Sequence, residues 1–177
     1  KIAIPNAEDY FRIALQTSLK VKGLPEDKIQ FLPEYANVVE WLLDNKNKGL
    51  IMGGVNGRGK SRIGEFVIPA ILRHVLGKVV HCYLSTGINE NLDTILMQKY
   101  VYIDDVGVED KLSDYGSVRW AFPEIVDGAE KFGNLLIVST NLSSKQIEEK
   151  YGTRTAKRIF TVCHPIAFKG ASFWGNV

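Results

Sequence analysis

Short apolar runs alternate along the chain with longer segments in which apolar residues recur every three to four positions. The apolar runs are residues 49–54, 78–84, 99–107, 133–141 and 162–168. Continuous apolar character is typical of parallel strands that are buried on both faces. The last run contains Pro165, which donates no backbone N–H and therefore suits a sheet edge or a strand end. The alternation predicts a five-stranded parallel sheet sandwiched by helices.

Three segments around the first apolar run have helical periodicity. Residues 6–22 form the first, and the side chain of Asn6 can cap its N-terminus. Pro33 opens the second, since proline suits the first position of a helix. The third covers residues 61–76 and contains Pro69, where we expect a kink because proline removes a helical hydrogen bond.

Length and composition indicate one globular domain. The chain has 177 residues, of which 45% are hydrophobic, and a net charge of +2, so any contact with nucleic acid requires a local basic patch. We expect a helical extension over residues 1–33 and the α/β core over residues 34–177. We interpret Cys82 and Cys163 as buried thiols of a reducing compartment. The chain has no apolar run of membrane-spanning length and no signal-peptide pattern, so we expect a cytoplasmic protein without membrane contact.

The segment GGVNGRGKS, residues 53–61, matches the pattern G-x-x-x-x-G-K-[ST] between a predicted strand and a predicted helix. Backbone N–H groups of such a loop surround phosphate groups, so side chains must be small where the loop turns. Lys60 would reach the terminal phosphates, and the Ser61 hydroxyl would bind Mg²⁺. We expect the side chain of Arg58 to point to solvent or to a neighbouring subunit. The residues predicted to bind ATP or ADP are Gly54, Val55, Asn56, Gly57, Arg58, Gly59, Lys60, Ser61 and Arg62.

Two acidic residues end the apolar run YVYIDD, residues 100–105. Ligands of parallel sheets bind at the carboxyl ends of the strands. Asp104 would hold Mg²⁺, usually through water, and Asp105 would orient or deprotonate the attacking water. Many ATPases have glutamate at the second position, and the aspartate here is shorter.

The run LLIVSTN, residues 135–141, ends with a Thr-Asn pair. In a parallel sheet Asn141 would lie beside the two aspartates and near the γ-phosphate of a bound nucleotide. An amide at that place can hydrogen bond to the phosphate or to the attacking water.

A basic segment, YGTRTAKRIF, follows at residues 151–160. Arg154 and Arg158 are four positions apart and therefore share one helix face. Arginine neutralises the charge of a transferring phosphate group and can be supplied by a neighbouring subunit. A single-stranded DNA channel could be lined by Lys145, Lys150, Arg154, Lys157 and Arg158.

Each of these motifs has a simpler interpretation. The glycine-rich segment can be a surface loop, and the two aspartates can cap a turn. Asn141 can cap the helix that follows it, although Ser143 or Ser144 could do so instead. The basic segment can be an ordinary solvated helix face.

The motifs GGVNGRGKS, YIDDVG, STNLS and YGTRTAKRIF, in this order, resemble those of AAA+ ATPases of the DnaC type, the bacterial replicative-helicase loaders. The resemblance covers about residues 35–170, and the last two motifs discriminate most. It implies a P-loop α/β sandwich without a full lid domain, ATP hydrolysis, a replicative helicase as partner, single-stranded DNA binding and ATP-dependent homo-oligomers. Arg158 matches the arginine that completes a neighbour's site, and Arg154 is the second candidate.

One departure from this family lies at the C-terminus. The family often has an arginine after a Lys-Gly turn late in the domain, whereas FKGASFWGNV contains none, and Trp174 stands about where it would be. Hydrolysis is therefore expected to be slow. Three alternatives remain: an IstB-like transposition ATPase, a nucleotide-dependent binding module with little hydrolysis, and a small-molecule kinase.

Overall fold

The protein was analysed as a computed structural model, which describes residues 1–21, 23, 29–114 and 117–170, except for the side chains of residues 114, 117 and 118. The C-terminal segment with Trp174 lies outside the described residues. The helices are α1 Ala7–Lys20, α2 Pro33–Leu43, α3 Lys60–Arg62, α4 Ile68–Leu76, α5 Leu92–Met97, α6 Ala121–Phe132, α7 Ser144–Tyr151 and α8 Thr153–Val162. The strands are β1 Gly49–Gly54, β2 His81–Leu84, β3 Tyr100–Val106, β4 Leu112–Asp114, β5 Ser117–Arg119, β6 Leu135–Thr140 and β7 Cys163–Phe168. Within the described part of the chain, no helix combines the length and apolar character needed to span a bilayer.

Five strands form a parallel sheet in the order β2–β3–β6–β1–β7, and β4 and β5 form a separate antiparallel hairpin. Strand β6 therefore lies between β1 and β3. Because the carboxyl ends of parallel strands meet at one edge of the sheet, the segments that follow β1, β3 and β6 come together there. Strand β7, with Pro165, is the outer strand beside β1, which confirms the edge position predicted from the proline.

Alternate strand residues send apolar side chains to the two faces of the sheet. Leu50 and Met52 of β1 and Ile137 of β6 pack with α1, α2 and α4 on one face. Ile51 of β1 and Val138 of β6 pack with α5, α6, α7 and α8 on the other. Since the strands are covered by helices on both faces, the predicted three-layer α/β sandwich is confirmed.

Helix α1 forms where the sequence predicts it and packs with the helical layer that covers β1. Its residue Phe11 is fully buried and contacts the rings of Phe31 and Tyr35. The side-chain cap predicted for Asn6 is wrong. Asn6 has a left-handed backbone, with φ 57°, and its side chain makes no capping hydrogen bond, whereas a capping residue usually has an extended backbone.

The helix predicted over residues 61–76 forms in three parts. Helix α3 passes into a π-helical turn, Ile63–Val67, and α4 begins at Ile68 with Pro69 in its first turn. The irregularity therefore lies just before Pro69 rather than at it. A π turn is one of the usual causes of helix bending and occurs often at functional sites.

The two cysteines differ in their environments. Cys163 is fully buried on β7, as predicted. Cys82 is exposed, so the prediction of a buried thiol is wrong for this residue. It lies on β2, the outer strand at the other edge of the sheet, where one side of the strand has no neighbouring strand among the described residues.

Replacing Gly49 with alanine is expected to destabilise the protein by roughly 3 kcal/mol, because overpacking against backbone forces neighbouring strands apart. A Cβ at this position would lie 2.0 Å from the carbonyl oxygen of Leu136 in β6. Gly53→Ala is the matched control, since its Cβ would approach only the Thr140 methyl carbon, at 4.0 Å. Urea unfolding measures both. Equal stability of the two variants would contradict the close approach of β1 and β6 at Gly49.

Candidate nucleotide-binding site

The loop between β1 and α3 has a backbone that only glycine adopts readily. Gly54, Gly57 and Gly59 have φ values of 132°, 75° and 86°. Space is also limited, because a Cβ at residue 54 would lie 2.1 Å from the carbonyl oxygen of Phe168. A Cβ at residue 59 would lie 2.6 Å from the Tyr35 hydroxyl oxygen. Conformation and packing therefore both require glycine at residues 54 and 59.

The side chain of Lys60 is buried beneath this loop. Its Nζ donates to the carbonyl oxygens of Gly54 and Val55, at 2.8 and 2.7 Å, and to Asn141 Oδ1, at 3.0 Å. These three bonds use the donors of one ammonium group. Burial lowers the pKa of Lys60, and the nearby charges of Asp105 and Asp104 oppose that effect. The positive charge is thus held at the centre of the loop.

The side chain of Arg58 does not point to solvent or to a neighbouring subunit, so that prediction is wrong. Its Nε donates to Glu34 Oε1 of α2 at 2.6 Å, and both side chains are largely buried. The Tyr35 hydroxyl donates to the Arg58 carbonyl oxygen at 3.2 Å. The physical reason is that α2 packs beside the loop and supplies a carboxylate partner. Arg58 therefore ties the loop to α2.

The two aspartates lie at a bulge in β3. Ile103 pairs with Val138 and Val106 with Thr140, so β3 has one more residue than β6 over this interval. Asp105 has a left-handed backbone, with φ 55°. A bulge of this kind re-aims the neighbouring side chains, and aspartate is one of the residues that tolerate the left-handed conformation.

Two hydroxyl groups contact Asp104. The Tyr102 hydroxyl and the Ser139 hydroxyl both donate to Asp104 Oδ1. Ser139 Oγ also accepts a hydrogen bond from the Asp105 N–H at 2.9 Å. Burial and the hydrogen bond with Asp104 raise the pKa of Tyr102 well above its ordinary value, so this hydroxyl stays protonated and acts as a donor.

Asn141 connects the loop to the aspartates. Its Oδ1 accepts from Lys60 Nζ, and its Nδ2 donates to Asp105 Oδ1 at 2.8 Å. The interpretation of Asn141 as a helix cap is excluded, because Ser143 caps α7 in a capping box with Gln146. The amide side chain of Asn141 therefore belongs to the site at the carboxyl ends of β1, β3 and β6.

These side chains surround one open cavity of about 520 Å³. The residues that line it are Asn56, Gly57, Gly59, Lys60, Ser61, Arg62, Glu65, Phe66, Asp104, Asp105, Ser139 and Asn141. A glycine loop around a buried ammonium group suits phosphate groups. The hydroxyl of Ser61 and the carboxylate of Asp104 are the hard oxygen ligands that Mg²⁺ prefers. The residues present therefore fit a magnesium-bound nucleotide.

Several solved structures resemble this fold at low sequence identity. The DnaC helicase loader has a TM-score of 0.66 at 15% identity, over 81% of this chain and 95% of that chain. A protein assigned as a primosome component of Streptococcus pyogenes serotype M3 has a TM-score of 0.61 at 16% identity, over 97% of this chain and 92% of that chain. AMPPCP-bound DnaA from Aquifex aeolicus has a TM-score of 0.59 at 13% identity, over 78% of this chain and 48% of that chain. No protein-family model and no curated protein matches the sequence.

The chain therefore shares the fold of these solved structures, among them the DnaC helicase loader. This confirms the predicted fold class, an α/β sandwich with a five-stranded parallel sheet. Three residues that complete the site were not predicted from the sequence: Tyr102, Ser139 and Glu34. A polar residue inside an otherwise apolar strand was the available signal for Tyr102 and Ser139. The partner of Arg58 had no such signal.

Arg154 and Arg158 do not line the cavity. Arg158 forms ion pairs with Asp127 and with Glu130, both on α6, and its Nε lies 2.5 Å from Glu130 Oε2. Arg154 Nη2 lies 3.5 Å from Asp127 Oδ2. The arginines thus lie together on one face, as the spacing predicts, and carboxylates of the same chain pair with both.

Most of the other basic residues of this region also have partners. Lys150 Nζ donates to the carbonyl oxygens of Gly107 and Glu109 and contacts the face of Trp120, with 4.4 Å between Nζ and the ring centroid. The buried carboxylate of Glu109 accepts from the Tyr151 hydroxyl. These contacts therefore hold the loop after β3 against α7, the helix that follows Asn141.

Proposed function

We propose that the protein binds and hydrolyses ATP and acts in DNA replication as a helicase loader. The hydrogen-bonded connection from Lys60 through Asn141 to Asp105 carries this proposal. It joins a phosphate-binding cation, an amide and a carboxylate at the ends of three adjacent strands. The similarity in fold to the DnaC helicase loader supports the assignment to replication.

The proposed roles follow from the positions of the side chains. The backbone of residues 54–61 and the Lys60 ammonium group would bind the phosphates of ATP or ADP. Ser61 and Asp104 would hold Mg²⁺, which neutralises phosphate charge when it is bound. Asp105 orients the attacking water and accepts its proton. Asn141 donates to the γ-phosphate or to that water, so it senses whether the γ-phosphate is present.

We propose that Arg158, with Arg154 as the second candidate, acts as an arginine finger, the arginine that completes the nucleotide site of a neighbouring subunit. This role requires assembly of the subunits. Arg158 is held by Asp127 and Glu130 of its own chain, so it must leave these carboxylates to reach a neighbour's nucleotide. We therefore propose an ATP-dependent homo-oligomer that binds a replicative helicase and single-stranded DNA in the cytoplasm. Residues 1–33 would be an N-terminal extension of the AAA+ core.

Turnover of ATP at increasing protein concentration, with and without single-stranded DNA and the cognate helicase, tests this function. We expect turnover to rise with assembly. Arg158→Ala is expected to retain nucleotide affinity and to lose roughly 10³-fold in turnover, the usual effect of an arginine finger. In the reactions without DNA, Lys157→Ala is the matched control, because it removes a neighbouring exposed cation from the same helix.

Mixing two inactive variants makes the test sharper. An Arg158→Ala subunit keeps an intact nucleotide-binding loop at residues 54–61. A neighbouring Lys60→Ala subunit still has Arg158 and can supply this arginine to the intact site. Partial recovery of turnover in the mixture is expected if the arginine acts between subunits. Unchanged turnover in Arg158→Ala alone would contradict the finger assignment. ATP-dependent assembly without turnover under any condition would favour the nucleotide-dependent binding module.

A further inference from the structure

A tyrosine hydroxyl lies beside Asp104, one of the predicted magnesium ligands. Tyr102 is the largest fully buried side chain of the described residues, with 0% of its surface exposed. A buried hydroxyl needs a hydrogen-bond partner, and Tyr102 donates to Asp104 Oδ1. The phenol group thus contacts one of the two residues that would hold Mg²⁺.

The fold makes specific room for this ring. A Cβ at residue 64 would lie 2.1 Å from Tyr102 Cε2, 2.2 Å from its Cζ and 2.7 Å from its hydroxyl oxygen. Gly64 lies in the π-helical turn Ile63–Val67, which begins two residues after Ser61. The ring of Tyr102 therefore occupies the space that a side chain at residue 64 would need. The π-helical turn brings the two residues together next to the loop between β1 and α3.

The carboxylate of Asp104 is held by two hydrogen bonds. Tyr102 and Ser139 donate to the same oxygen, Oδ1. Ser139 also accepts from the N–H of Asp105, so this donor is oriented as well. Asp104 lines the cavity, and its carboxylate cannot rotate away without breaking both bonds. Hydrogen bonds of this kind orient metal ligands in advance.

We propose that Tyr102 is a positioning residue that sets the Mg²⁺ dependence of nucleotide binding by orienting Asp104. The proposal rests on the proposed nucleotide-binding function. Tyr102 does not line the cavity, so it would act on the nucleotide only through Asp104. Its removal therefore changes how much Mg²⁺ the complex needs and leaves the metal-free affinity for nucleotide unchanged.

Titration of a fluorescent ADP analogue at several Mg²⁺ concentrations tests this inference in Tyr102→Phe. Loss of such an orienting bond typically lowers metal affinity 10- to 100-fold, so we expect about a tenfold increase in the Mg²⁺ concentration for half-maximal binding. Electron paramagnetic resonance of Mn²⁺ added with ADP gives the same comparison without a label. Tyr100→Phe is the matched control, because it removes a phenol hydroxyl two residues earlier on the same strand.

The outcomes separate the two proposals. An equal Mg²⁺ requirement in wild type and Tyr102→Phe, with intact nucleotide binding, would overturn the role of Tyr102 alone. A wild type that binds no nucleotide with or without Mg²⁺ would overturn both proposals. A purely structural tyrosine would lower the melting temperature without moving the Mg²⁺ requirement. If Tyr102→Phe does not fold, Ser139→Ala removes the other donor to the same oxygen and is expected to shift the requirement in the same direction.

Discussion

Replacing Lys60 with alanine is expected to weaken the binding of ATP and ADP about 100-fold, because a hydrogen bond to a charged group contributes up to about 3 kcal/mol. In the protein the ammonium group is bound by two loop carbonyl oxygens and by Asn141 Oδ1. An arriving phosphate offers anionic oxygens in place of these neutral acceptors, so the lysine gains most when nucleotide binds. Fluorescence titration with a labelled nucleotide measures the affinity.

Lys145→Ala is the control for the loss of one positive charge. The Lys145 side chain is 85% exposed and pairs with Glu149 at 3.7 Å, so its removal is expected to leave the affinity unchanged. Circular dichroism and thermal unfolding establish that Lys60→Ala is folded, since the variant leaves Asn141 and two carbonyl oxygens without this donor. Wild-type affinity in folded Lys60→Ala would mean that phosphate does not bind at residues 54–61.

The fold could be predicted because its signals are local. The apolar run at residues 49–54 and the strand β1 have identical bounds, and α2 begins at Pro33 as proline at a first helical position indicates. The edge position of β7 follows from Pro165, which donates no N–H to a neighbour. Such features depend on a few adjacent residues, so neither the strand order nor the packing had to be known in advance.

The contacts around the site could not be predicted in the same way, because they join residues far apart in the sequence. Arg58 and Glu34 are separated by 24 positions, and Arg158 and Asp127 by 31. Many carboxylates along the chain could pair with either arginine, and only the packing of α2 and α6 selects among them. The predicted solvent-facing Arg58 was wrong for this reason.

The bulge in β3 could be predicted only in part, because it depends on both local sequence and pairing with a distant strand. The sequence places two acids at the end of a strand, but it does not state that Asp105 leaves the regular strand geometry. The left-handed backbone of Asp105 follows from pairing with β6, where Val106 aligns with Thr140. Its N–H is bound by Ser139 Oγ, and its carbonyl oxygen accepts from Ser85 Oγ at 2.8 Å. The carboxylate of Asp105 is thereby aimed at Asn141.

Asp105→Asn is expected to lower ATP turnover about 10²- to 10⁴-fold, the usual contribution of a general base, while nucleotide affinity stays unchanged. Asparagine tolerates the left-handed backbone, and its side-chain oxygen can still accept from Asn141, but an amide cannot take a proton from water. Phosphate release and nucleotide titration on the same sample measure the two quantities. Asp93→Asn, at an exposed position of α5, is the matched control. Wild-type turnover in Asp105→Asn would assign proton transfer to another group, whereas loss of nucleotide binding would place Asp105 in the binding site instead.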